Sequence, residues 1–162
     1  MVLTTHAVAG AAVATLVPSH PVLGFALGFG SHFVLDSVPH WEYPVFSMKG
    51  GKSPLDNDML INKAFVGDLI RIGIDGMLGI TLALFFLGTI YHHSFFIIIL
   101  GAIAGMLPDA LQFVYFKWRH EPLVSLQKFH IWVHPKLSLH NKPFIGVLSQ
   151  IVFIFLIIFV LK

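Results

Sequence analysis

Long apolar stretches restrict this chain to a membrane fold more strongly than any other feature of its sequence. Residues 72–90, 95–116 and 144–161 each approach the roughly 20 residues that a helix needs to cross a bilayer core. Only 11% of the 162 residues are charged, whereas soluble domains carry about 25%. We therefore expect one integral membrane domain that covers residues 1–162.

The apolar stretches predict an all-α fold, a polytopic membrane helical bundle. We predict about five membrane segments, at residues 3–17, 22–38, 64–90, 95–116 and 144–161. The first rises only about 22 Å at 1.5 Å per residue, so we expect a partial span that neighbouring helices shield from lipid. Along residues 121–133, apolar side chains recur at spacings of three and four, which predicts an amphipathic helix at the membrane interface.

The positions of the basic residues predict an orientation. Eight of the ten Lys and Arg residues lie in two long polar connections, 40–63 and 117–143, whereas the short connections 18–21 and 91–94 hold none. By the positive-inside rule, the long connections and the N-terminus are cytoplasmic and the C-terminus, with Lys162, is outside. The first segment lacks a basic leader and contains His6, so we expect it to be retained as a helix.

Ionisable side chains inside the apolar segments are the main functional signal. His32 and Asp36 are four residues apart and therefore share one helix face. A carboxylate near the middle of a membrane helix costs at least about 2.5 kcal/mol, and a divalent cation would compensate it. His6 and Asp109 lie at a similar depth in other segments. Because such side chains usually turn inward and meet, we predict one shared metal site.

Two more residues are assigned to this site as ligands or as the catalytic base. Asp75 and Asp68 share one face of the third segment, with Arg71 between them, so one acid is expected to pair with Arg71; we favour Asp75 as the ligand. The second long connection contributes three candidate histidines, His130, His134 and His140. We favour His130 among them.

The ligand types indicate which cofactor to expect. Imidazole and carboxylate together suit zinc, or else manganese or iron, and a catalytic site keeps one position open for water. We expect one or two divalent ions, and the number of candidate ligands favours two. The structural alternative is that His32 and Asp36 form a hydrogen-bonded pair joining two helices. Cysteine is absent, which excludes thiolate ligands, and no nucleotide-binding motif occurs, so nucleotide binding has no support. We also expect no nucleic-acid partner.

Three short motifs resemble those of a known family. They are Thr5-His6-x-x-x-Gly10, Ser31-His32-x-x-Leu35-Asp36 and Leu107-Pro108-Asp109. They are similar to motifs of small bacterial inner-membrane proteins described as membrane-bound metal-dependent hydrolases, a family related by motif to zinc-dependent phospholipase C. The resemblance implies that His6, His32, Asp36 and Asp109 are metal ligands. Asp109 is not followed by the second acid and histidine that the family shows, and His40, Asp75 and His130 are our candidates to replace them.

The sequence therefore favours an inner-membrane hydrolase whose metal site opens toward the cytoplasmic leaflet. We expect it to cleave a phosphoester or another headgroup bond, with membrane lipid as both environment and substrate. One alternative is transport of metal ions or protons, which the apolar outer halves of segments two to four disfavour. Another is a noncatalytic scaffold stabilised by metal. The sequence indicates no particular oligomeric state.

Overall fold

The computed structural model describes residues 1–135, 139 and 141–160. Expectations that involve Lys136, His140, Leu161 and Lys162 lie outside this part of the chain. The described residues form six α-helices, which confirms the all-helical prediction. In chain order they are α1 Leu3–Ala14, α2 Pro21–Asp36, α3 Lys63–Ala83, α4 Phe95–Lys117, α5 Leu123–Val133 and α6 Pro143–Val160.

Three helical stretches in the described chain are long and apolar enough to cross a membrane: Lys63–Ile90, Phe95–Lys117 and Pro143–Val160. The first joins α3 to a π-helical stretch, Leu84–Ile90. Helices α1 and α2 occupy the first two predicted membrane segments but are shorter. At 1.5 Å per residue they rise about 18 Å and about 24 Å, less than the roughly 30 Å of a bilayer core.

Helix α1 is the central helix of the bundle and packs against α2, α3, α4 and α6. All but two of its 12 residues are buried, most of them Ala, Gly or Thr. Ala7, Val8 and Ala11 join Leu87 and Ile98 in an apolar core. The neighbouring helices therefore enclose this short helix almost completely.

Glycines allow α1, α2 and α4 to approach each other closely. A Cβ atom on Gly105 would lie 2.3 Å from the carbonyl oxygen of His6, and one on Gly10 would lie 2.4 Å from that of Gly101. A Cβ atom on Gly28 of α2 would lie 2.9 Å from the same Gly101 oxygen. Small residues spaced by four permit such backbone contact. The crossing brings α1 and α2 against the first half of α4, around Gly101 and Gly105.

The connection between α2 and α3 is folded back onto the helices. It contains a two-stranded antiparallel sheet, β1 Met48–Lys49 and β2 Asp58–Met59. Asp68 of α3 accepts hydrogen bonds from the amide and hydroxyl groups of Ser47, at 2.7 and 2.8 Å. At the end of α4, Lys117 lies 2.7 Å from Asp58 and its hydrogen bond holds the pKa of that carboxyl below its usual value. These contacts fix the connection beside the bundle.

Helix α5 lies where the spacing of apolar residues predicts a helix, although it begins two residues later. Leu123, Gln127 and His130 are buried on one face, whereas Phe129 and Trp132 are exposed on the other. The buried face delivers His130 to the region where α2 and α4 meet.

Candidate metal centre

Asp36, the last residue of α2, lies at the centre of a cluster of histidines. Its side chain is only 1% exposed. Its Oδ2 atom lies 2.9 Å from Nε2 of His130, 3.1 Å from Nε2 of His32 and 3.3 Å from Nε2 of His134. Its Oδ1 atom lies 3.2 Å from Nε2 of His6. Four imidazole nitrogens therefore surround one carboxylate.

Separate helices bring the predicted ligands together. His6 comes from α1, Asp109 from α4 and His130 from α5, while His32 precedes Asp36 by one turn of α2. The Oδ1 atom of Asp109 lies 3.6 Å from Nε2 of His32. His32, Asp36, Asp109 and His130 each offer one ligand atom, and these atoms all lie within 4.8 Å of one another. This set of four is called the Asp109 group below.

The orientation of His32 suits metal binding. Its Nδ1 atom lies 2.8 Å from the carbonyl oxygen of Gly105. Because a carbonyl oxygen can only accept, Nδ1 carries the hydrogen, and in the neutral ring Nε2 presents a lone pair toward Asp36. A hydrogen bond from the other ring nitrogen is the usual way in which proteins orient a metal-binding histidine.

His6 is a buried histidine without a well-formed hydrogen bond, although its Nε2 atom lies 3.2 Å from Oδ1 of Asp36. It is fully buried, and neither of its ring nitrogens forms a hydrogen bond of acceptable geometry within the described chain. An unsatisfied buried polar group costs about 1–3 kcal/mol. A cation beside Asp36 would provide the missing partner for Nε2.

The distances also fit a metal ion. In a tetrahedral site with bonds of 2.0–2.1 Å, neighbouring ligand atoms are roughly 3.3 Å apart. The contacts within the Asp109 group are 2.9, 3.1, 3.3 and 3.6 Å. The residues present therefore fit a divalent cation with nitrogen and oxygen ligands.

Simultaneous protonation of His6 and His32 is unfavourable. The rings of His6 and His32 are stacked, with centroids 3.9 Å apart and an interplanar angle of 21°. If both rings were protonated, two positive charges about 4 Å apart would repel by about 4 kcal/mol at an effective dielectric constant of 20. One shared cation avoids this repulsion because both rings stay neutral.

Asp75 is not brought into the cluster. Its carboxylate accepts hydrogen bonds from the amides of Leu3 and Thr4, at 2.7 and 3.2 Å, and from the Thr4 hydroxyl at 2.6 Å. Tyr43 donates a further hydrogen bond at 3.1 Å. The first amides of a helix lack partners within the helix. Asp75 supplies acceptors for the start of α1, and this explains its place in an apolar helix.

Three further residues, His40, Glu42 and His134, lie close to Asp36. His40 Nε2 is 2.7 Å from Glu42 Oε1 and 3.9 Å from Asp36 Oδ1. His134 Nε2 is 3.8 Å from the same Glu42 oxygen. Asp36, His40 and His134 form a second set of potential ligands. His40, Glu42 and His134 are called the Glu42 group below.

Glu42 is the member of the site that the sequence reasoning missed. It lies in an irregular connection, where apolar periodicity gives no guide to which side chains face the bundle. The sequence feature that could have identified Glu42 is its spacing from His40. The two residues are two positions apart, and in an extended segment such side chains point the same way. The amino group of Met1 also lies here, 2.9 Å from Asp36 and 3.2 Å from Glu42.

Ionisation in the Glu42 group follows from these contacts. Partial burial opposes ionisation of Glu42, but the hydrogen bond with His40, the Met1 ammonium group and His134 outweigh it and lower the pKa of Glu42 to about 2. The hydrogen bond with Asp36 raises the pKa of His134, and burial opposes this only in part. A positively charged group beside the carboxylates of Glu42 and Asp36 is therefore favourable.

The cluster is buried on one side and open on another. The side chains of His6, His32 and Asp36 are at most 1% exposed, whereas those of Asp109 and His134 are 32% and 34% exposed. Glu42 is 50% exposed. The edge of the cluster formed by these three side chains is therefore accessible to solvent.

No family model, curated protein or solved structure gave a significant match to this chain. Its class rests on the fold and the site. It is a helical protein with three candidate membrane-spanning helices and a buried His/Asp cluster that could hold a metal ion.

Proposed function

We propose that this chain is a membrane-embedded, metal-dependent hydrolase that cleaves a phosphoester or another headgroup bond of a membrane lipid. The observation that carries the proposal is the convergence of imidazole nitrogens from three helices on buried Asp36, with Asp109 partly exposed beside them. A buried cluster with one accessible edge suits a site that both binds a metal ion and admits a substrate.

The proposed ligands are His6, His32, Asp36, Asp109 and His130. Zinc is the ion we favour, and when bound it would act as a Lewis acid that activates water and stabilises developing negative charge. His32 is held in position by the carbonyl oxygen of Gly105, and Asp36 by its place at the end of α2. Asp109, His134 and Glu42 are the exposed residues of the cluster, so they are the side chains closest to a bound substrate.

The surroundings of the cluster support a lipid substrate. Phe129 is 44% exposed and Trp132 is 78% exposed on the outer face of α5, which suits an interfacial helix. Basic residues in the long connections would attract anionic headgroups to the same surface. Three of them are Lys49, Lys128 and Lys142.

The proposed membrane arrangement has five membrane segments. Lys63–Ile90, α4 and α6 cross the bilayer completely, and α1 and α2 enter as a hairpin of two partial spans. Following the positive-inside rule, we place the long connections and the site on the cytoplasmic side of the bacterial inner membrane and the end of α6 outside. The motif resemblance to membrane-bound metal-dependent hydrolases supports the same location and activity.

The interior of the bundle favours hydrolysis over transport. A transporter needs a polar path through the membrane, marked by ionisable or polar side chains. Beyond His6, α1 contributes Ala7, Val8 and Ala11 to an apolar core with Leu87 and Ile98. Within the described residues, this core closes the bundle on the side away from the cluster.

The test combines metal content with lipid hydrolysis. Wild-type protein purified in detergent should bind zinc and release a headgroup or diacylglycerol product from mixed phospholipid vesicles, as measured by mass spectrometry. His32→Ala and Asp36→Ala should lose both the metal and the product, whereas His20→Ala, at an exposed position outside the cluster, should keep both. Wild-type protein without bound metal, or equal hydrolysis by wild type and Asp36→Ala, would refute the proposal.

A further inference from the structure

We propose that the site holds two divalent cations bridged by the carboxylate of Asp36, the second of them bound by His40, Glu42 and His134. The inference rests on the proposed function, because it concerns the same cluster. It adds the Glu42 group as a distinct binding site.

The number of ligand atoms exceeds what one ion can use. A zinc ion in a protein site binds about four ligands. The Asp109 group already supplies four side chains, and its members lie within 4.8 Å of one another. The Glu42 group adds two imidazoles and a carboxylate close to Asp36. Asp36 is the member common to both sets.

Asp36 is within reach of both ligand sets. Its Oδ2 atom lies 3.1 and 2.9 Å from His32 and His130, and 3.3 Å from His134 of the Glu42 group. Its Oδ1 atom lies 3.9 Å from His40. One carboxylate close to two ligand sets can be shared by two ions, and ions about 3.5–4 Å apart are the arrangement that clamps a phosphoryl group.

His40 is oriented by a backbone carbonyl oxygen, as His32 is. His40 Nδ1 lies 2.7 Å from the carbonyl oxygen of Val38, so Nδ1 carries a hydrogen and Nε2 points toward Glu42. His134 Nε2 lies between Asp36 and Glu42, at 3.3 and 3.8 Å. The first distance matches the roughly 3.3 Å expected between ligands of one tetrahedral ion, and the second is longer.

Two other positive groups compete for this position. A proton on His40 would satisfy Glu42, and the Met1 ammonium group already lies 2.9 Å from Asp36 and 3.2 Å from Glu42. Either would neutralise the Glu42 group without a second metal ion. The metal-to-protein ratio distinguishes these occupants, because protons and amines do not contribute to it.

The experiment measures zinc per chain on the full-length protein in detergent. Zinc is added in excess, unbound zinc is removed by gel filtration, and the ratio is obtained by elemental mass spectrometry and amino-acid analysis. We expect two zinc ions per wild-type chain and one in Glu42→Gln and in His134→Ala. The matched controls Glu121→Gln and His120→Ala, exposed positions preceding α5, should keep two.

The outcomes separate this inference from the proposed function. One zinc ion in wild type, unchanged in Glu42→Gln and lost in His32→Ala, overturns the second site and leaves the proposed function intact. No zinc in wild type overturns both. If the Glu42 and His134 variants do not fold, as judged by circular dichroism, a calorimetric zinc titration of wild type decides: a stoichiometry of two supports the second site and a stoichiometry of one refutes it.

Discussion

At the residue scale, the sequence predicts the site wherever an ionisable side chain lies within an apolar helix. Each of His6, His32, Asp36 and Asp109 has to be compensated in an apolar environment, which predicts that they meet. The structure places all four together with His130. The same reasoning cannot say which partner compensates a given acid. An acid in an apolar helix can be compensated by a metal ion, by a basic side chain or by the free amides at the start of a helix, and the sequence does not distinguish these partners. Asp75 is compensated by the amides at the start of α1.

Replacing His6 by leucine should preserve or raise the stability of the metal-free protein and should reduce the stabilisation that zinc provides. Without metal, His6→Leu should leave stability unchanged or raise it by about 1–3 kcal/mol, because a buried imidazole without a hydrogen bond is removed. With zinc, wild type should gain about 2.7 kcal/mol at a concentration of 100 times Kd, and the variant should gain less. Thermal unfolding in EDTA and in excess zinc measures both effects. A lower stability of the variant in EDTA would show that His6 is already satisfied.

Replacing Asp75 by asparagine should destabilise the fold without removing metal. The amide keeps one acceptor oxygen and loses the other, so the first turn of α1 loses part of its cap at a cost of about 1 kcal/mol. Zinc content at saturation should match that of wild type. Denaturant unfolding and elemental analysis are the two measurements, with Asp56→Asn in the exposed connection as control. Loss of zinc as complete as in Asp36→Ala would show that Asp75 is a ligand after all.

At the scale of the elements, the positions of the helices could be predicted, but not the role of each. Hydropathy marks α1 as apolar, yet an apolar residue can face either lipid or protein, so the pattern alone does not show that α1 is enclosed by other helices. Its alanines and glycine indicate close packing only when the glycines of α4 are known to face them. The connection that contains Glu42 has no periodicity, and only the folded chain places it beside α2.

Replacing Gly105 by alanine tests whether the close packing of α1 and α4 is needed for zinc binding. Gly105→Ala would place a Cβ atom 2.3 Å from the backbone oxygen of His6, so α1 and α4 must separate. We expect a loss of about 1–3 kcal/mol in stability and weaker zinc binding, since His6 and the His32 hydrogen bond both depend on this turn. Gly73→Ala in α3, where the new Cβ meets nothing within 4 Å, is the control. Stability and zinc affinity equal to the control would contradict the observed crossing.

At the scale of the whole molecule, the fold places polar chemistry at one end of an apolar bundle. Three long helices are suited to lipid, and the two short ones bring their polar ends to the cluster. The end of α2, the start of α1 and the side of α4 meet at the level of Asp36, while the opposite half of the interior is filled by aliphatic side chains. This arrangement accounts for a site that is accessible from one side and protected from the other.

The central claim, that imidazoles and carboxylates around Asp36 hold a divalent cation, is tested most directly by zinc K-edge X-ray absorption on the purified protein. The predicted spectrum has a first shell of nitrogen and oxygen at about 2.0–2.2 Å with outer-shell scattering from at least two imidazole rings. In Asp36→Asn the zinc signal should be lost or reduced. A protein that retains no zinc, or a zinc spectrum without imidazole scattering, would contradict the claim.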